Sequence, residues 1–454
     1  MDDVALWPAT EQARAIKQGD LKSRELLEVF ISRIDRINPT VNAVVTTDFE
    51  SARNAADAAD VAVAEGRDLG ALHGLPVTIK DALETNGMRS TGGATELAHN
   101  VPNRDAPVVG AVKNEGAIVF GKTNLPRWSG DIQSFNDIFG TTTNPWDADR
   151  VPGGSSGGAA AAVSCGLTAF EIGTDIGGSI RFPAAFNGIF GHKPSFGIVP
   201  STGYLDHVAG GTTEADVNVI GPLTRSADDL TLLMRILSRK SPTWTADLGS
   251  PPDAPKHMRV AAWLDDDFCE VDAEVLAVLD AVVARMEADG MSVDRSARPD
   301  LDAARAAKLG GMLVSSATSR PGDTDGPSHR EWCDWDVERE ELRTAWASFF
   351  GNFDAVVMPV GFVPPFPHIH EGDFASRTLE CNGQKRPYLD VIAWTLLTGM
   401  AYLPSSVPPV GLTPGGLPVG MQVVGPYGSD LSTIALAGHI ASLGDGFVAP
   451  PIAR

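Results

Sequence analysis

Between Gly153 and Pro183 the chain sets two serines in two separate glycine-rich turns, and few folds accommodate that. The stretch opens Gly153-Gly154-Ser155-Ser156-Gly157-Gly158 and closes Gly173-Thr174-Asp175-Ile176-Gly177-Gly178-Ser179-Ile180-Arg181-Phe182-Pro183. An alanine-rich segment and a short apolar run lie between them. Glycines around a serine let backbone N–H groups converge on one point without side chains in the way. That geometry holds an oxyanion beside a nucleophile. Upstream, Gly74-Leu75-Pro76-Val77-Thr78-Ile79-Lys80-Asp81 ends an apolar, β-prone run on a lysine. This lysine supplies the third part of a Ser–Ser–Lys arrangement.

Composition narrows the field. The formal charge of −22 argues against a nucleic-acid partner, which wants a basic footprint. Apolar content of 43% with 47 glycines and 32 prolines describes a globular, turn-rich chain rather than a disordered one. Cys165, Cys269, Cys333 and Cys381 lie far apart with no CxxC, so they read as the reduced thiols of a cytoplasmic protein. Met1 is followed by Asp2-Asp3 rather than a basic and then apolar segment, and no signal peptide is expected. No apolar run is long enough to span a bilayer, so no membrane partner is expected either. Leu389 to Leu403, the most apolar helix candidate, reads as core.

Periodicity predicts a helix capped by Ser23 and running to Asn38, and a second from Phe49 to Glu65. Leu75 to Lys80 and Ala117 to Phe120 read as short buried strands. A helix starts directly from the first glycine turn at Ala159 to Val163, and Leu167 to Ile172 reads as a strand leading into the second. Ser226-Ala227-Asp228-Asp229 resembles a capping box opening a helix to about Ser238. Ser241 to Lys256 is the best linker candidate. A strand (Met258 to Leu264), a helix (Asp272 to Asp289), a charged helix (His329 to Phe350) and a strand (Ala355 to Pro359) follow, with Arg298 to Ser328 ambiguous. A strand at Val419 to Val424 and a helix from Ser429 to Leu443 close the chain. The alternation indicates an α/β fold with a mixed, mostly parallel sheet.

The serine turns, the lysine strand and their order resemble the amidase signature family. Ser155 and Ser179 lie 24 residues apart, and Lys80 lies 75 before Ser155, spacings that fit that family. Similar residues recur at Gly121-Lys122-Thr123-Asn124, Phe139 to Trp146 and Gly416 to Gln422. The resemblance implies one unit over residues 1–454, a large mixed and mostly parallel sheet covered by helices on both faces. A catalytic core spans about 66–225 and a variable, substrate-shaping region about 241–405. It implies a cofactor-independent hydrolase with Ser179 as nucleophile, Ser155 as relay across a cis peptide from Gly154, and Lys80 as base. The backbone N–H groups of Ile176, Gly177, Gly178 and Ser179 would form the oxyanion hole. Asp175 and Arg181 read as structural braces, with a substrate carboxylate as the other reading of Arg181. Ser156 reads as a helix cap.

A lysine accepts a proton only when neutral, and burial pushes it that way. Amides are the expected substrates, with carbamates and esters fitting the same geometry; a homodimer is a family-level expectation. Leu125-Pro126-Arg127-Trp128 stands where many relatives have Met-x-Glu-Phe, so Trp128, Ile132, Gln133 and Leu313 are expected to shape the pocket. One alternative is the glutamine-hydrolysing component of a tRNA-dependent amidotransferase, yet Gly310 to Thr318 lacks the segment such proteins carry. A non-catalytic amidase-like binding protein is the other, yet Lys80, Ser155 and Ser179 are all present.

Three other motifs are set aside. Gly116 to Thr123 matches a Walker A pattern, but its four inner residues are bulky and strand-like. Gly153 to Gly157 matches GxSxG without a strand before it, and His207, His257 and His439 carry no triad context. His368-Ile369-His370-Glu371 sits in a proline-rich loop and reads as solvated rather than metal-binding, so no metal is expected. Trp332, Trp335 and Trp346 sit at helical spacing and read as packing.

Overall fold

The structure, a computed structural model, describes residues 2–67, 69–205, 211–238, 248–319 and 326–454. His207, and residues 241–247 of the stretch read as a linker, lie outside the described residues. Helices α1 (Ala9–Gln18), α2 (Ser23–Val41) and α3 (Phe49–Ala64) surround a small sheet of β1 (Val44–Thr47), β2 (Pro76–Lys80) and β3 (Ile118–Thr123). The central strand β3 runs parallel to β2 and antiparallel to β1. α4 (Pro107–Asn114) makes the crossover between β2 and β3. The Walker-like run is therefore the strand β3 itself, and Lys122 within it is buried.

A short ladder pairs β4 (Phe135–Asn136) with β5 (Gly140–Thr141). α5 (Gly157–Ser164) then leads to β6 (Glu171–Asp175), and α6 (Arg181–Asn187) leaves it. The large sheet continues through β7 (Phe190–Lys193), β8 (Val219–Thr224), β9 (Arg259–Ala262), β10 (Ser292–Asp294) and β11 (Ala355–Pro359). α7 (Ala227–Leu237) follows β8, α8 (Ala273–Ala288) follows β9, and α9 (Ala303–Ala317) and α10 (His329–Phe349) follow β10. After a hairpin of β12 (Thr378–Cys381) and β13 (Gln384–Pro387) comes α11 (Ala393–Gly399). The last strands are β14 (Ser405–Val407), β15 (Pro409–Leu412) and β16 (Pro418–Val424), closed by α12 (Asp430–Ser442).

The strand order is β10-β9-β11-β16-β14-β7-β8-β6, with β15 added on β16. The sheet is mixed, as expected, but it is not mostly parallel. Parallel pairing is confined to β10–β9–β11, and the other neighbours pair antiparallel. The reason is burial. Strands such as β8 and β16 are covered on both faces. They read as the continuous apolar runs that usually mark parallel sheets. Two hydrophobic cores flank the sheet, and β8 sends Leu223 into one and Ile220 into the other.

Several local expectations shift. The strand after α5 is Glu171–Asp175, four residues beyond the expected start, so it runs straight into the second glycine turn. The ambiguous stretch holds α9. Ser23 is the first residue of α2 rather than its cap: its hydroxyl donates to Gly74 O, while Asp60 accepts the Ser23 N–H at 2.7 Å. Leu389–Leu403 is broken into a 3-10 turn that leaves Leu389 exposed and the short α11, which lies within the core. Trp346 is fully buried and donates to Leu397 O, and Trp335 packs against the same core, whereas Trp332 stacks on His329.

Half of the capping box at Ser226 forms. Ser226 Oγ accepts the Asp229 N–H at 3.1 Å. The Asp229 carboxylate instead caps α1, accepting the N–H groups of Ala9 and Thr10 at 2.9 and 2.8 Å. It is a buried tie across the chain, because its removal strands two donors. Asp229→Ala should cost about 1–3 kcal/mol in urea unfolding, and Asp229→Asn, which keeps one acceptor, should lose less.

Candidate active site

Two strand ends and one helix start meet here. β2 delivers Lys80, β6 delivers Thr174 and Asp175, and the segment before α5 delivers Ser155 and Ser156. The Gly154–Ser155 peptide is cis. Gly154 is required by space: a Cβ there would lie 2.5 Å from the Ile132 carbonyl carbon. The Ser156 N–H donates to Ser179 O at 3.2 Å, which ties the two serine turns together. Ser155 is buried, whereas Ser179 is only half-buried and so within reach of a ligand.

Lys80 is 0% exposed. Its Nζ lies 2.7 Å from Ser155 Oγ, 2.7 Å from Thr174 Oγ1 and 3.1 Å from Ser156 Oγ. Burial pushes its pKa well below the ordinary lysine value, with the charges of Asp175 and Glu171 pulling the other way. A neutral amine has two hydrogens and one lone pair to share among these three hydroxyls. Ser156 Oγ donates to Thr174 O at 3.3 Å, and Thr174 Oγ1 donates to Tyr204 Oη at 3.3 Å. With their protons so directed, both accept from Lys80. The lone pair is left for the Ser155 hydroxyl.

Ser156 thus holds the position before α5 but makes no capping hydrogen bond; its hydroxyl faces Lys80 instead. Thr174 and Tyr204 were not singled out from sequence. Thr174 was legible, because β alternation turns it to the face opposite Asp175. Tyr204 carries no local signal and arrives through an isolated bridge to Leu83.

Asp175 organises the second turn. Its carboxylate accepts the Gly178 N–H at 2.8 Å and the Ile180 N–H at 3.1 Å, and Arg181 grips it through Nε and Nη2 at 3.0 and 2.9 Å. Burial opposes its ionisation, but the Arg181 charge outweighs that and holds the carboxyl below its usual range. The Gly178 N–H is therefore spent inside the turn and does not join an oxyanion hole as expected. Its φ of +122° and the Phe182 ring 2.5 Å from a would-be Cβ both demand glycine. The N–H groups of Ile176, Gly177 and Ser179 have no acceptor among the described residues.

Arg181 Nη1 donates to Thr395 O, Thr398 Oγ1 and Gln422 Oε1 at 2.9, 3.1 and 2.8 Å. Fully buried, it presents no face to a substrate carboxylate.

The expected pocket residues divide. Trp128 is half-buried, and its backbone N–H donates to Gly92 O at 2.8 Å; the Gly92 N–H in turn donates to Asp81 O, next to Lys80. Ile132 backs Gly154. The Gln133 side chain is instead a clamp: its amide exchanges hydrogen bonds with Ile369 N–H and C=O at 2.8 and 2.7 Å. Leu313 lies within the core on α9, which packs on α11, and Thr395 of α11 donates to Gly177 O at 2.7 Å. Sequence cannot separate a pocket wall from the layer behind it.

A Ser–His–Asp line does exist, though not at the histidines considered. His192 lies 2.9 Å from Ser406 Oγ and 3.1 Å from Asp430 Oδ1. All three are fully buried, so the group ties β7, β14 and α12 together out of reach of any substrate. The His368 and His370 rings are 5.4 Å apart, with His370 stacked on Phe135. Among the described residues no three metal-ligating side chains are grouped, and no helix is long and apolar enough to cross a membrane.

A fold of this kind is found in amide-hydrolysing enzymes. A crystal structure of an amidase superposes with a TM-score of 0.81 at 28% identity, over 96% of this chain and 99% of that one. The Amidase family model matches residues 25–324 and 323–434. The chain is 30% identical to an indoleacetamide hydrolase of Bradyrhizobium diazoefficiens, covering 95% of this chain and 85% of that protein. It is 29% identical to a glutamyl-tRNA(Gln) amidotransferase component of Acinetobacter baylyi, covering 96% of each. The chain belongs to the amidase family.

The Asp175–Arg181 brace holds the turn that carries Ser179. Arg181→Met should cost about 3–5 kcal/mol in urea unfolding, because it leaves a buried carboxylate unpaired. Arg181→Lys should recover part of that loss at most, since an ammonium lacks the planar fork.

Proposed function

We propose that this protein hydrolyses amides through an acyl-enzyme on Ser179, with Ser155 as proton relay and Lys80 as base. The observation that carries the reading is a fully buried Lys80 Nζ 2.7 Å from Ser155 Oγ, with acceptors at Thr174 O and Tyr204 Oη for the protons of Ser156 and Thr174. Ser179 Oγ forms a bond to the substrate carbonyl carbon as its proton passes to Ser155 and the Ser155 proton passes to Lys80. The developing oxyanion is met by the N–H groups of Ile176, Gly177 and Ser179. Collapse breaks the C–N bond, and the relay reverses to protonate the departing nitrogen. Water then attacks the ester by the same route and regenerates Ser179.

Similarity to an indoleacetamide hydrolase favours a primary amide with an aromatic acyl group. Trp128, on the segment linked through Gly92 to Asp81, is the wall residue that reading assigns to such a group, with Ile132 behind Gly154. Aryl carbamates and esters suit the same centre, the esters reacting faster because their leaving group is better. The likeness to an amidotransferase component favours glutamine as a second substrate reading.

The test is a panel of indole-3-acetamide, an anilide, an aryl carbamate, an aryl ester and glutamine, with Ser179→Ala as the blank. Ser179→Ala should fall at least about 10⁴-fold, and Ser155→Ala and Lys80→Met should lose comparable amounts, because the three act as a unit. Release at the wild-type rate in Ser179→Ala contradicts the mechanism; glutamine as the one substrate turned over supports the second reading. Lys80 works only as the neutral amine. Activity should therefore fall as pH drops through its lowered pKa, far below the ordinary lysine range. Lys80→Arg, unable to give up its proton, should stay inactive throughout.

A further inference from the structure

One buried acid beside the centre is unused by this mechanism. Glu171 opens β6, three residues before Thr174, and its side chain is fully buried. Oε2 accepts the Ile172 N–H at 3.0 Å, while Oε1 has no hydrogen-bond partner. The hydroxyls of Thr78 and Thr123 face this carboxyl short of hydrogen-bond geometry, and they too are buried without partners. Thr78 precedes Lys80 by two on β2 and shares its face. Thr123 is the register partner of Lys80 on β3. Glu171 therefore lies against the two threonines that flank Lys80 on its face of the small sheet, and its charge acts on Lys80.

The other charges around it are accounted for. Asp175, on the same strand, acts on Lys80 but is gripped by Arg181 and faced by Lys193. Lys122 of β3 faces Glu171 and is flanked by Asp81, Lys113 and Asp105. Tyr204 stands behind Thr174. Asp175 is ion-paired with Arg181, whereas among the described residues Glu171 makes no ion pair and feels Lys122 only beyond ion-pair distance.

We propose that Glu171 is a positioning residue for Lys80: its carboxyl sets the pH at which Lys80 becomes a neutral amine. An ionised Glu171 holds Lys80 as an ammonium, whereas a protonated Glu171 lets the amine stay neutral. Burial raises the Glu171 carboxyl to about 7, with the hydroxyls of Thr78 and Thr123 favouring its charge. The inference rests on the reading of Lys80 as the base.

The readout is the rate at which a fluorophosphonate probe labels Ser179, followed against pH. Glu171→Gln removes the charge that stabilises the ammonium. The acid limb should move down by about one pH unit, with the high-pH rate held within about twofold. Thr123→Val withdraws a hydroxyl that favours the carboxylate, so the limb should move the same way by a smaller step. It decides the matter alone if Glu171→Gln does not fold. Lys80→Met is run in parallel. Abolished labelling there, with an unmoved limb in the Glu171 or Thr123 variant, overturns this inference alone. Labelling of Lys80→Met at the wild-type rate overturns the base reading and this inference with it.

Discussion

The structure depends on a primary amine placed out of water at the end of a strand, in contact with hydroxyls rather than carboxylates. Among the described residues Lys80 has no ion-pair partner, and its Nζ meets the oxygens of Ser155, Ser156 and Thr174. A surface lysine in that setting would be an ammonium with three donors. Burial removes the solvation that stabilises the charge, and the neutral form gains a lone pair. Everything nearby follows from directing that lone pair. Ser156 and Thr174 give their protons to Thr174 O and Tyr204, which leaves Ser155 as the hydroxyl able to give one to the amine.

That local chemistry needs a rigid surround, and two devices supply it. The Ser156 N–H to Ser179 O hydrogen bond locks one serine turn against the other. Behind the second turn, Asp175 and Arg181 form a buried pair whose outer donors reach Thr395 and Thr398 on α11 and Gln422 on β16. A pair of this kind adds little net stability over an apolar core, but losing one partner is costly. Its contribution is geometric: it fixes which backbone N–H groups turn inward and which, like that of Gly178, turn back.

The chemistry of the site was more legible than its surroundings. Glycines and serines at fixed spacing announce turns whose backbone must converge, and these are local signals that survive without tertiary context. The sheet was read less well, because β8 and β16 are buried on both faces and an apolar run does not record the direction of its neighbour. The bracing contacts of Gln133 and the core position of Leu313 were hidden for a related reason. Whether a side chain lines a cavity or braces the layer behind depends on partners such as Ile369, more than two hundred residues away. Tyr204 and Glu171 escaped notice because each is a single residue in an ordinary strand or loop, given meaning by what folds against it.

The account stands or falls on which serine is the nucleophile. The most direct measurement is peptide mapping by mass spectrometry of the protein after reaction with a fluorophosphonate probe. One adduct is expected, on Ser179, absent in Ser179→Ala. An adduct on Ser155 or Ser156 in the wild-type protein would contradict it.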